Sequence, residues 1–120
     1  MTSSRSQNVY KGKMTWKLLE SVLKNYNEFR ALYEQEGIDE LTLDNGYVIN
    51  IHDILSGINS LPQRQRQAVI LVCIDNMKEV DAARVMKFNR WSSQVGSYKR
   101  LGLKKLIRWC WPDEKGDAEV

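Results

Sequence analysis

Residues 61–72 read LPQRQRQAVILV, a basic, amide-rich opening that runs straight into the most apolar stretch of the chain. Ser60 and Gln63 stand in the S-x-x-Q relation of a capping box, and Pro62 falls in the first turn, where its missing amide proton is no loss. The spacing therefore predicts a helix start. The continuation AVILVCI at 68–74 is too unbroken for a half-exposed surface. It predicts a central helix buried on several sides, with Gln63, Arg64, Arg66 and Gln67 at its wetter amino-terminal end.

Downstream, a shorter helix is expected from Lys78 to Lys87, with Ala82, Ala83, Val85 and Met86 available for packing, then a turn containing Phe88. Small residues there let helices approach closely. The last helix, from Ser92 to Trp109, has an inner stripe of Trp91, Val95, Tyr98, Gly102, Leu106 and Trp109. Its opposite side carries Gln94, Ser97, Arg100, Leu101, Lys104 and Arg108. A helix lying in a DNA major groove needs this arrangement, with polar groups near its start for base edges and cations along its length for phosphates. Periodicity alone does not separate it from an ordinary surface helix with a basic outer face.

Upstream, Leu18, Leu19, Val22, Leu23, Tyr26, Phe29 and Tyr33 recur at helical spacing, and Glu20 pairs with Lys24 one turn on. One long amphipathic helix is expected from Met14 to Glu36, ended by Gly37. LTLDNGYVI at 41–49 places an Asn-Gly turn between short apolar alternations, the pattern of a hairpin. Asn50, with Asp53 three places on, then caps a short helix burying Ile51, Ile54, Leu55 and Ile58. His52 lies beside that apolar face with no second histidine in the chain to share a metal.

The 120 residues carry a formal net charge of +3, distributed unevenly. Residues 1–60 are net −2, residues 61–111 are net +8 and residues 112–120 are net −3. A basic block of that density suggests a polyanionic partner, and the acidic end reads as a solvated tail. Composition, with 42% hydrophobic and 28% charged residues, is that of a soluble globular chain. No apolar run reaches the ~18 residues that span a bilayer, and no signal peptide core follows the polar start, so a cytoplasmic protein without a membrane partner is expected. Cys73 and Cys110 read as reduced core thiols. Catalysis is not expected, since the chain has one histidine, no glycine-rich phosphate loop and no nucleophile with an evident base. Asp75, Glu79 and Asp81 fall where helix termini explain them. No cofactor or metal is implied.

From Leu61 onward the order LPQRQRQAVILV, Ala82-Ala83, the turn with Phe88 and VGSYKRLGLKKL at 95–106 resembles region four of bacterial sigma factors and the related small helix-turn-helix regulators. The resemblance covers residues 58–108, and the leucine-proline opening with its arginine run is its most specific part. It implies that the last helix reads double-stranded DNA while the domain also meets RNA polymerase. Base contacts would then fall among Ser92, Ser93, Gln94 and Ser97, and phosphate contacts at Lys99, Arg100, Lys104 and Lys105, with Arg108 continuing that face. Arg64 and Arg66 would serve the DNA backbone or a polymerase surface.

The chain departs from that pattern in places. Lys87 stands where the family usually has glycine, Lys78 where it often has a capping serine or threonine, and the segment from Phe88 to Val95 is about two residues longer. Gly96 weakens the first turn of the reading helix by about 1 kcal/mol relative to alanine. Nothing amino-terminal resembles the sigma module that melts promoters. The expected fold is mainly α, a small helical bundle with a carboxy-terminal helix-turn-helix and a short β-hairpin at 41–49. Its parts would be a flexible arm at 1–13, a helical segment at 14–60, the sigma-like unit at 61–111 and an acidic tail at 112–120. The expected function is a small, phage-type transcription regulator. Two rivals share the features: a DNA-packaging subunit of the small-terminase kind, and a polymerase-binding module that does not touch DNA. Trp91 and Trp109 are expected in the core, and Trp111 free to meet a partner.

Overall fold

The computed structural model describes residues 12–89 and 92–112 and is mainly helical, with one small two-stranded antiparallel sheet. Thr15 Oγ1 accepts the Leu18 amide at 3.1 Å and starts helix α1, Trp16–Leu23. Helix α2, Tyr26–Glu36, ends at Gly37, whose φ of 73° only glycine adopts readily. The single helix expected over 14–36 is therefore two. At the break, the Asn25 side chain donates to the Ser21 carbonyl at 3.5 Å, the local competition that makes asparagine a helix breaker. Asn76 Nδ2 donates to the Lys24 carbonyl at 3.3 Å, satisfying the backbone left open there.

Strand β1, Glu40–Thr42, pairs antiparallel with strand β2, Val48–Asn50, with Leu41 opposite Ile49. The turn closes by Gly46 N–H to Leu43 O at 2.9 Å and Leu43 N–H to Tyr47 O at 2.8 Å. A two-stranded sheet is marginal alone, and here Tyr47 and Ile49 bury it against the helices. Asn45 also receives the Gly12 amide on its carbonyl and donates from Nδ2 to Lys13 O. The last two residues of the expected arm are thus fastened to the hairpin.

Asn50 Oδ1 accepts the His52 and Asp53 amides at 2.8 and 3.3 Å and opens helix α3, Ile51–Ser60. Ile51, Ile54 and Ile58 are buried, but Leu55 is 41% exposed because it lies one residue round the helix from that stripe. Helix α3 runs as far as Ser60, whose hydroxyl donates to Gly57 O at 2.7 Å. The expected capping box with Gln63 consequently does not form, and Pro62 itself is the cap of helix α4, Gln63–Ala68.

Helix α4 continues as a π-helical stretch, Val69–Ile74, ending with the Asp75 amide on Ile70 O at 2.8 Å. Wider turns present more of the apolar run inward. Val69 and Cys73 enter the larger core with Leu19, Ile54 and Leu106, while Ala68 and Val72 enter a smaller one with Ala82, Ala83, Met86 and Val95. This helix is central, as its composition implies.

Helix α5, Glu79–Val85, closes with the Phe88 amide on Ala83 O and the Lys87 amide on Arg84 O, at 2.8 and 3.1 Å. That is a Schellman motif with Lys87 at the left-handed position, φ 65°. Lysine here takes the conformation glycine takes more cheaply.

Helix α6, Gln94–Cys110, buries Val95, Gly102, Leu103, Leu106 and Ile107. A Cβ on Gly102 would meet Val69 Cγ2 at 2.7 Å and Gln65 O at 3.3 Å, so α6 crosses the central helix almost backbone to side chain. The tryptophans at its end exchange their expected roles. Trp109 lies across Gly57 and is 50% exposed. Trp111, where the chain leaves the helix at φ −135°, turns back on the hairpin: Nε1 donates to Val48 O at 3.0 Å and the ring meets Tyr47 edge-on. Trp91 lies outside the described residues. Because α1 and α3 both pack on α6, residues 14–60 and 61–111 share one core. Among the described residues no helix is long and apolar enough to cross a membrane.

Candidate nucleic-acid interface

The packing of α6 decides which of its residues remain outside. With Val95, Gly102, Leu103 and Leu106 turned inward, the residues on the opposite face are Ser93, Gln94, Ser97, Arg100, Leu101, Lys105 and Arg108, all exposed, with Lys104 half-buried at the edge. The face is polar in its first turn and cationic beyond it. Residues 94–110 contain no acidic side chain to neutralise it. Such a surface can bind a polyanion through its cations while amide and hydroxyl groups near the helix start reach its finer features.

The amino-terminal end of α6 is built by Ser92, whose hydroxyl accepts the Gln94 amide at 3.0 Å, and whose own amide donates to Asn89 O at 2.8 Å. Ser92 is half-buried and shapes the helix start, whereas Ser93, Gln94 and Ser97 stand on the outer face.

Lys99 does not join that face. Only 8% exposed, it points inward, and its Nζ donates at 2.9 Å to Glu20 Oε2 of α1 and at 2.9 Å to Glu79 Oε2 of α5. Burial disfavours the charged amine, but the hydrogen bonds and charges of the two carboxylates outweigh it, and the Lys99 pKa rises above its ordinary value. The phosphate contact expected of Lys99 is thereby withdrawn: its cation is already shared between two internal anions. The triad joins three helices instead. The inward position is consistent with spacing, since Lys99 lies four residues after Val95 and three before Gly102. Its partners, 79 and 20 residues away, leave no local signal. Gly96 belongs to the same construction, because a Cβ there would meet Glu79 Oε1 at 3.0 Å.

Arg64 and Arg66 serve local carbonyls. Arg64 Nη1 donates to Met86 O at 2.9 Å and to Gln67 Oε1 at 3.3 Å, and its guanidinium lies 4.7 Å from the Phe88 ring centre. Phe88 in turn stacks on Tyr98 at 6.0 Å. Arg64 thus braces the turn between α5 and α6. Arg66 Nη1 donates to Asn59 O at 3.3 Å, across the α3–α4 corner.

One contribution escaped the sequence reading. Trp16, in the first turn of α1, has Arg100 Cζ 5.6 Å, Lys17 Nζ 5.7 Å and Lys99 Nζ 5.8 Å from its ring. Together with Glu79, Ser93 and Ser97 it borders a cleft of about 350 Å³ that opens beside the start of α6. Elsewhere, burial pushes the thiols of Cys73 and Cys110 up to about 12, far from a reactive thiolate. His52 packs edge-on against Tyr33 at 5.0 Å. Among the described residues no group of three or more histidine, cysteine or acidic side chains could hold a metal ion.

Comparison of the chain with family models, curated proteins and solved structures returned no match.

Proposed function

We propose that the protein is a double-stranded DNA-binding transcription regulator whose α6 lies in the major groove. The observation that carries this reading is the outer face of α6: Ser93, Gln94 and Ser97 lead, Arg100, Lys104, Lys105 and Arg108 follow, and no carboxylate lies on the helix. A rigid base supports it. Helix α6 is locked to the central helix at Gly102, to α5 through the small core around Ala82 and Ala83, and to α1 and α5 through Lys99. Preorganisation matters because base edges are read only when side chains arrive in fixed register.

The resemblance of residues 58–108 to sigma region four points the same way. The Schellman turn at Lys87 supports it, since the backbone there takes the left-handed geometry that suits the glycine usual in that family. In this reading Arg64 is chiefly a brace for the turn, and RNA polymerase is the second partner.

The test is a titration of labelled duplex with wild-type protein and with an Arg100→Glu, Lys104→Glu variant at several salt concentrations. Wild-type binding should weaken steeply with salt, by a slope of about 0.9 per phosphate neutralised, and the variant should lose it. Duplex binding equal in both proteins would overturn the reading.

A further inference from the structure

Resting on the reading of α6 as the DNA helix, we infer that the first turn of α1 supplies a second, sequence-independent contact: Lys17 and Arg100, arrayed about the Trp16 indole, hold the phosphate backbone at one wall of the groove that α6 enters.

Geometry comes first. An α-helix with its side chains is about 10–12 Å across and a DNA major groove is about 12 Å wide, so a helix that enters nearly fills it. Whatever flanks the helix on the protein side must then meet the sugar-phosphate wall. On α6 that flank is the cleft bordered by Trp16 on one side and Ser93, Ser97 and Arg100 on the other. It is the first turn of α1 that lies against the wall.

The chemistry fits a phosphate. Three cationic groups surround one indole, but they are not equivalent. Lys99 is engaged by Glu20 and Glu79, and Glu79 is the one carboxylate bordering the cleft among the described residues. Lys17 and Arg100 are exposed, and among the described residues neither is in an ion pair. Among the described residues, two cations without an ion-pair partner therefore lie within 6 Å of one indole, at 5.7 Å for Lys17 Nζ and 5.6 Å for Arg100 Cζ. A cation near such a face at an exposed site is held weakly by the ring quadrupole, enough to bias the side chain without burying its charge. Trp16 is therefore a positioning residue for both, and the Ser93 and Ser97 hydroxyls add neutral donors at the same rim.

Sequence information is not expected from this corner, because phosphates are alike at every step. Its effect is on register and affinity.

The experiment compares Lys17→Gln with Lys24→Gln, which removes the same charge at the other end of α1, on a fixed duplex and on duplexes of altered sequence. Lys17 is exposed, so its substitution leaves the core intact. For Lys17→Gln the slope of log affinity against log salt should fall by about 0.9, so that a fourfold rise in salt weakens the wild type by about 3.5-fold more than the variant. The ratio of affinities between duplex sequences should not change, and Lys24→Gln should keep the wild-type slope. An unchanged slope in Lys17→Gln, or equal changes in both variants, would overturn the α1 contact while leaving the α6 reading in place. Absence of duplex binding by the wild type would overturn both.

Discussion

Replacing Lys99 by methionine should destabilise the fold while leaving its shape, since methionine keeps most of the apolar stem and removes the ammonium with its charge and its two hydrogen bonds. The lost cation lies 2.9 Å from each of two carboxylate oxygens. Side-chain exposure is 17% for Glu20 and 50% for Glu79, so only Glu20 is stranded in poor solvent. Removing one partner of a fully buried pair costs about 3–5 kcal/mol. With Glu79 able to turn to water, the loss here should be about 2–3 kcal/mol, or about 8–12 °C in Tm for a chain of this size. A companion Glu20→Leu, Lys99→Met variant, which removes the stranded anion as well, should recover most of that loss. Thermal melts of the three proteins make the comparison. The pH dependence follows from the Lys99 pKa, which folding raises above 10.5. A group that binds its proton more tightly when folded gives stabilisation that is complete below the unfolded pKa and lost as pH rises through the folded one. The gap between wild type and Lys99→Met should thus persist from neutral pH to about pH 10 and close above it. A loss below about 1 kcal/mol, or no recovery in the double variant, would refute the internal triad and return Lys99 to the surface.

Gly102→Ala should lose about 1–3 kcal/mol by forcing α6 off Val69 and the Gln65 carbonyl, measured by denaturant unfolding. Lys87→Gly should gain about 0.5–1 kcal/mol in the same assay, because relief of the left-handed strain exceeds the added freedom of the unfolded chain. With thiols pushed to about 12, only about one in 10⁴ of Cys73 and Cys110 is thiolate at pH 8; alkylation should be slow in the native protein and fast once it is unfolded.

Much of this fold is readable where a residue acts on its own backbone. Asn50 caps α3, Gly37 stops α2, the Asp44-Asn45-Gly46 turn reverses the hairpin, and the unbroken apolar run at 68–74 sits in the centre because none of its side chains is polar. What was not readable depends on partners far along the chain. Apolar spacing passes straight through Lys24 and Asn25, so the break between α1 and α2 leaves no trace in periodicity; Asn76, which closes it, lies 52 residues away. Ser60 satisfies a capping-box pattern but is taken first by the end of α3. Trp111 looks free beside a proline, yet finds Val48 and Tyr47 across 63 residues of chain.

The outer face of α6 was legible for a different reason from the caps, since helical spacing separates Ser97, Arg100 and Lys104 from Val95 and Leu106. The resemblance places Lys99 among the phosphate contacts, whereas its place on that spacing, between Val95 and Gly102, is inward. The cation–aromatic corner at Trp16 had no signal of its own, because it exists only after α1 has packed on α6.

Selection of duplexes from a random pool at moderate salt, with wild-type protein beside the Arg100→Glu, Lys104→Glu variant, tests the role of α6 most directly. A motif enriched by the wild type and lost in the variant is the expected result, and would make α6 the surface that reads DNA. No enrichment, or enrichment that survives the charge reversal, would contradict it and turn the cationic face over to a protein partner.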